Sequence, residues 1–320
     1  MTIFRLEKNK LLPVSSKKFD LEKDIQKLTE ENLETLFGIK FVSGSLNQEF
    51  SIGVSEQDFY IDTLAFDENQ KSIVIIEYKK DKSFSVIDQG FAYLSAVLNH
   101  KADLILELNE RLNKNFRKSD IDWETTRVIF ICSEFTNYQR NAINFKDLPI
   151  FLYEVNLYEN GLIEYDPIKP YRTTESITKI SKDKTIRDVS KIIKVYSEED
   201  LISKLQKSKE LYETFKENIL SIDGSLIFHP TKVYIGIQMP GNWRTLAAIN
   251  LRQNELIIDY TRSQPSDFND PQKKLVYKAN SLKYFNQHIS TVIVRSSEDV
   301  EYAVFLFKQA YNRFIETFGK

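Results

Sequence analysis

The stretch Phe59–Lys80, FYIDTLAFDENQKSIVIIEYKK, sets the tightest limit on how this chain can fold. It reads as two strands around a polar turn, Asp67-Glu68-Asn69-Gln70-Lys71, with apolar residues dense on both sides. Near-continuous Ile, Val and Leu belong to strands covered on both faces, so the hairpin is expected inside a packed sheet. Into this apolar setting the sequence places Asp62, Glu77 and Lys79. With the turn centred between Asn69 and Gln70, Asp62 falls directly across from Glu77. Cross-strand neighbours hold their Cβ atoms roughly 4.5–5.5 Å apart, where like charges destabilise the pair. A divalent cation relieves that repulsion. Glu77 and Lys79, two apart on a strand, point to the same face. An acid from one strand with acid-x-Lys from the next is what metal-assisted phosphodiester hydrolysis uses. Hard oxygens hold Mg²⁺, and the lysine adds charge beside the attacking water and the phosphate. Short patterns of this kind also occur as solvated charges at strand ends. Ile73-Val74-Ile75-Ile76, immediately before Glu77, sets this strand apart from an exposed polar one.

The chain has 320 residues, which implies two domains rather than one core. Its net charge of −2 excludes a globally basic protein, so a nucleic-acid surface has to be a local patch. The single cysteine, Cys132, excludes an internal disulfide framework and a cysteine-based zinc site. It follows the apolar run Val128–Ile131, where a buried, inert thiol is expected. His100, His229 and His288 are far apart in sequence, and structural roles are expected for each. There is no signal peptide and no apolar run long enough to span a bilayer, so a cytoplasmic protein is expected.

Residues 1–16 read as an extended lead-in. Leu21, Ile25, Leu28 and Leu36 fall at helical spacing, which predicts a helix over Asp20–Phe37 with Gly38 as its stop. Acids border that stripe: Glu22, Asp24, Glu31 and Glu34. Phe41-Val42 and Glu49–Ile52 are strand candidates. Further helices are predicted over Val86–Leu98, Lys101–Leu112 and Tyr138–Phe145. Strands are predicted over Arg127–Cys132, Ile150–Val155 and Gly161–Tyr165. Gln89 and Tyr93, at i and i+4, share a helix face. The order of elements implies an α+β half with a mixed sheet flanked by helices, ended by Pro167 and Pro170. Residues 168–199 alternate charge with Ser, Thr and a few aliphatics and read as a solvated linker with helical segments. Residues 200–320 read as a second, smaller α+β domain. It has a helix over Glu199–Ile219, strands over Lys232–Gln238, Leu246–Leu251, Glu255–Tyr260 and Ser290–Val294, and a closing helix, Ser297–Phe318. It contains no acid-x-Lys, phosphate loop or His cluster.

The acid-bearing helix, Ile61-Asp62, Ile76-Glu77-Tyr78-Lys79 and Gln89-Gly90-Phe91-Ala92-Tyr93, in that order, resemble the PD-(D/E)XK nuclease superfamily, whose fold is restriction-endonuclease-like. The last element is similar to the Gln-x-x-x-Tyr motif of its RecB-like members. The resemblance covers about residues 15–167. More narrowly, the chain resembles the group in which such a domain precedes a C-terminal domain of unknown function, DUF5655, corresponding to about residues 200–320. The resemblance implies that Asp62 and Glu77 bind Mg²⁺ or Mn²⁺, with the backbone carbonyl of Tyr78 as a further ligand. It implies that Lys79 orients the attacking water, and that Gln89 and Tyr93 orient the site or meet the DNA backbone. The first-helix acid it implies is Glu22, with Glu31 as second choice. Many relatives have Gly-Arg before the Ile-Asp, whereas this chain has Phe59-Tyr60, which removes a phosphate-binding arginine.

The expectation is therefore a metal-dependent DNA endonuclease in residues 1–167, with a specificity, assembly or effector module behind it. The alternatives are a nuclease-fold protein that binds nucleic acid or a partner without cutting, and an interaction protein centred on the C-terminal domain. A homodimer and a protein partner held by that domain are both left open.

Overall fold

The protein is described by a computed structural model over residues 3–17, 22–54, 57–79, 84–170, 175–203, 205–240 and 242–318. The chain divides into two units, Met1–Glu34 with Ile39–Val195, and Thr35–Gly38 with Tyr196–Lys320. Each is α+β.

The lead-in is a hairpin, β1 (Phe4–Glu7) and β2 (Lys10–Pro13), turned at Lys8 and Asn9, which take positive φ. A short strand, β3 (Ser16–Lys17), precedes the helices α1 (Glu22–Glu31) and α2 (Leu33–Phe37). The one helix expected over Asp20–Phe37 is thus two, and its first two residues lie outside the described residues. The break falls at Asn32, whose amide donates to Leu28 O at 2.8 Å while its backbone N–H turns to Thr29 O. Asparagine competes with the helix for backbone partners, which the apolar spacing does not register. Gly38, at φ +66°, then ends the second helix.

Next come β4 (Lys40–Ser43), the paired β5 (Phe50–Val54) and β6 (Gln57–Ile61), and the hairpin β7 (Thr63–Asp67) and β8 (Ser72–Lys79). Helices α3 (Val86–Asn99) and α4 (Lys101–Leu112) lead to β9 (Arg127–Cys132). Then follow α5 (Asn137–Ala142), β10 (Ile150–Tyr158), β11 (Ile163–Ile168), α6 (Ile177–Ile180) and α7 (Lys184–Ile192). The sheet runs β11-β10-β9-β8-β7-β4, with β3 also on β10. β8, β9 and β10 pair in parallel and the remaining pairs are antiparallel. Parallel neighbours need long crossovers, and α3–α4 and α5 supply them. Every residue of β9 and all of β8 up to Tyr78 is buried, as their unbroken apolar runs require.

The hairpin turn is tied from both ends. Asp67 Oδ1 accepts from the N–H groups of Asn69 and Gln70, each at 3.0 Å, forming an Asx turn. Its Oδ2 takes Arg127 Nη2 at 2.8 Å, and Arg127 Nη1 reaches Ser72 Oγ at 3.1 Å. Asp67 and Arg127 are both buried, so this pair clamps the turn onto β9.

The solvated linker expected over 168–199 is corrected. Ile177, Ile186, Val189 and Ile193 are buried with the first unit's core, and α7 packs on α3. Ile186, Val189 and Ile193 recur at helical spacing inside a charged background, so the charges cover the outer face and the aliphatics the inner one. Pro167 does not end the sheet either. It lies in the edge strand β11, opposite Tyr153.

In the second unit α8 (Glu198–Ile202) and α9 (Gln206–Leu220) replace the single helix expected over Glu199–Ile219. The strands are β12 (Ile227–Pro230), β13 (Ile235–Met239), β14 (Asn242–Leu251), β15 (Leu256–Thr261) and β16 (Val276–Tyr277). Helix α10 (Ser281–Phe285), strand β17 (Ile289–Val294) and helix α11 (Ser297–Phe318) complete it. The sheet order is β12-β13-β14-β15-β17-β16, antiparallel throughout. Helices α9 and α11 pack on each other and on β15, burying Phe215, Ile219, Leu306 and Phe307 against Ile258 and Tyr260. Each such side chain contributes about 1.5–3 kcal/mol. Among the described residues, no helix is long and apolar enough to cross a membrane.

Candidate functional site

The hairpin register places Thr63 opposite Ile76, so Asp62 and Glu77 face each other one step further on. Asp62 lies between β6 and β7, where the chain stops pairing with β5 and begins pairing with β8. The strand expected to run straight through Asp62 is therefore bent there. The two acids interlock through backbone. Asp62 N donates to Glu77 Oε1 at 3.2 Å, and Tyr78 N donates to Asp62 Oδ2 at 3.0 Å. The Glu77 side chain is only 1% exposed. Burial, reinforced by the Asp62 charge, pushes its carboxyl up to about 8, while Lys79 and a hydrogen bond from Tyr93 pull the other way. Lys79 Nζ stands 3.3 Å from Glu77 Oε2 and is partly exposed. An acid, a partly exposed lysine and a second acid thus occupy one face at the end of β8.

Helix α3 brings the next pair. Ser85 starts it, its Oγ accepting from Asp88 N at 3.2 Å. Tyr93 hydrogen-bonds Glu77, and its ring meets Phe59 edge-on at 4.6 Å between centroids. Burial first, then the Glu77 charge, drives the Tyr93 hydroxyl pKa upward, so the phenol stays a donor. One turn earlier, Gln89 Oε1 is buried without a hydrogen-bond partner. Glu22, at the start of α1, is close enough for its charge to act on Tyr93 together with Glu77 and Asp62. Glu31 is different. It is exposed, at the far end of α1. Among the described residues, no three His, Cys, Asp or Glu side chains gather as a metal shell. Of the ligand set that the resemblance implies, Asp62, Glu77 and the Tyr78 backbone meet directly, and Glu22 acts through its charge on the same Tyr93 that bonds Glu77.

Sequence reasoning passed over Glu30. Only 3% exposed, it accepts from five donors. Oε1 takes Gln26 Nε2 (3.0 Å), Ser45 N (3.0 Å) and Thr63 Oγ1 (2.6 Å). Oε2 takes Ser45 Oγ (2.6 Å) and Leu46 N (3.1 Å). Gln26 also donates to Asp62 O at 2.8 Å, so this network holds the backbone of Asp62 itself. The signal was helical phase: Gln26 and Glu30, four apart, flank the buried line Ile25, Thr29 and Leu33. Gly44 closes over it, since a Cβ there would lie 2.2 Å from Glu30 Oε1 and 2.9 Å from Asp62 O.

No family model matches the chain. No solved structure matches it. A protein of Haemophilus influenzae (strain ATCC 51907 / DSM 11121 / KW20 / Rd), described as "Uncharacterized protein", is 38% identical over 312 residues, covering 97% of this chain and 99% of its own. The similarity spans both units, and the chain belongs to the family of that Haemophilus influenzae protein.

Proposed function

We propose that the protein is a metal-dependent DNA endonuclease of the restriction-endonuclease-like fold, with the PD-(D/E)XK pattern carried by Asp62, Glu77 and Lys79. One observation carries the reading: Glu77, almost wholly buried, faces a second acid and has one lysine as counter-charge. Two hard carboxylates at one point suit Mg²⁺ or Mn²⁺, which bind through one or two carboxylates and keep several waters. Bound there, the cation supplies Lewis acidity and lowers the pKa of a coordinated water.

The chain's own residues do the rest. Lys79, partly exposed at the rim, sets positive charge where negative charge develops on the phosphate. The Tyr93 hydroxyl donates to Glu77 and fixes its carboxylate. Gln89, with a buried oxygen still without a partner, is set to orient a water or a backbone phosphate's neighbour. Phe59-Tyr60 stand in place of the Gly-Arg of many PD-(D/E)XK proteins, and Phe59 packs on Tyr93 and walls the site.

The test is incubation with plasmid and single-stranded DNA in Mg²⁺, Mn²⁺ or EDTA. Cleavage with either cation and none in EDTA is the expected result. Asp62→Asn and Glu77→Ala should abolish it, and Lys79→Ala should slow it by about 10²–10³-fold. Normal cutting by Lys79→Ala would reduce that residue to a surface charge. A second reading, nucleic-acid binding without cleavage, is favoured by the lack of a three-acid group among the described residues. Under it DNA binding persists in EDTA and in Asp62→Asn, with no strand scission under any condition.

A further inference from the structure

The face of the second unit's sheet opposite Ile258 and Tyr260 carries a cleft of about 670 Å³, a size that suits small organic ligands. Strand register builds its floor. Asn250, Ile257 and Ile293 form one row across β14, β15 and β17. Asp259, Thr291 and Val276 form the next row, across β15, β17 and β16. On the other side of the Ile row, Arg252 N bonds Glu255 O where β14 turns into β15, and Arg295 Nε bonds Glu255 Oε2 at 2.7 Å.

The cleft therefore has three zones in sequence. Its polar end is built on Asp259, only 4% exposed. That carboxylate accepts from Thr291 Oγ1 (2.6 Å), Asn250 Nδ2 (3.2 Å) and Lys278 Nζ (2.5 Å). A buried acid here holds three donors in one arrangement, while Lys278 and Asn250 keep further N–H groups for another acceptor. The middle is apolar and wet, with Ile293 40% and Val276 64% exposed. The far end is basic, with Arg252, Arg295 and Lys274 in the lining. Arg295 and Lys274 are partnered by Glu255 and Asp299. Arg252 has no acid partner among the described residues.

We propose that this cleft binds a nucleoside monophosphate. The guanidinium of Arg252, with Arg295 and Lys274 beside it, matches a phosphate, which a planar fork of donors engages in pairs. The flat base covers Ile257, Ile293 and Val276, removing exposed apolar surface from water. Its hydrogen-bonding edge meets Asn250, Thr291 and Lys278. A simple phosphate leaves the apolar middle uncovered, and a fatty acid brings nothing to the polar end.

The full-length protein is titrated by calorimetry in EDTA with adenosine, guanosine and cytidine 5′-monophosphates, and with adenosine and inorganic phosphate as part-ligands. Saturable binding of at least one monophosphate is expected, with adenosine and phosphate at least about tenfold weaker. Arg252→Glu and Ile293→Glu, both on exposed side chains, should each weaken binding by about tenfold or more without lowering the melting temperature. Asp62→Asn should leave it unchanged, which separates this cleft from the first unit's acids. No binding of any monophosphate at millimolar concentration overturns the proposal. So does equal affinity in Arg252→Glu, loss of binding in Asp62→Asn, or phosphate binding as tightly as the nucleotides.

Discussion

Glu77 holds its proton up to about pH 8 in the folded protein, whereas an unfolded chain releases it near 4.5. Between those values the native state binds the extra proton, so in EDTA stability falls as pH rises across that window. The full effect is about 5 kcal/mol, and Glu77→Gln should flatten the slope. Urea unfolding from about pH 5 to about pH 9 measures it; equal slopes in both proteins would place the burial cost elsewhere. Glu30 sets a second test. Gly44→Ala drives a methyl group into its carboxylate and into Asp62 O, a loss of about 1–3 kcal/mol. Gly53→Ala, where a Cβ meets nothing within 4 Å, serves as the control and should cost little. Asp62, Glu77 and Lys79 were legible because charge stands out against Ile73–Ile76. Glu30 was not, because its neighbours Glu31 and Glu34 are exposed and only three-dimensional contacts with Ser45 and Thr63 separate it from them.

At the scale of elements, β9, α4 and α11 match their sequence-predicted bounds, since unbroken apolar runs or clean helical phase define them. The breaks inside predicted elements were not readable. Asn32 interrupts a helix whose apolar stripe continues, and Asp62 bends a strand whose alternation continues. Both depend on where a polar side chain finds its partner, which composition leaves open. The same holds for the clamp between Asp67 and Arg127, sixty positions apart in sequence. Arg127→Ala strands a buried carboxylate and should cost about 3–5 kcal/mol in urea unfolding. Replacing Asp67 and Arg127 together by apolar residues should recover most of that loss. No recovery would mean that the Asx turn, rather than the ion pair, fixes the hairpin.

For the whole molecule, two α+β halves were legible from length and from the concentration of chemistry before Pro167. The boundary was not, because α7 hides its aliphatics among lysines and arginines. A fragment ending at Asp166 loses Ile177, Ile186, Val189 and Ile193 from the first core. It should aggregate or unfold non-cooperatively, whereas a fragment ending at Val195 should melt in a single transition. Calorimetry of the two fragments decides it. A cooperative transition in the shorter one would make α6 and α7 dispensable.

Pro167 in β11 has a consequence for how copies of this protein can meet. A proline is tolerated in a strand only where its missing N–H faces outward, away from the neighbour it pairs with. The outer border of the seven-stranded sheet thus lacks a donor near the C-terminal end of β11. At the opposite border β4 is four residues long and pairs irregularly with β7. The second sheet is blunted in the same way, by β12, which ends in Pro230, and by β16, two residues long. Neither sheet offers a continuous template onto which a foreign strand can zip, the usual seed of runaway fibre growth. An assembly seated on either of these two sheets therefore has to be built through side-chain faces, where shape and charge discriminate between partners, rather than through the indiscriminate grammar of backbone pairing.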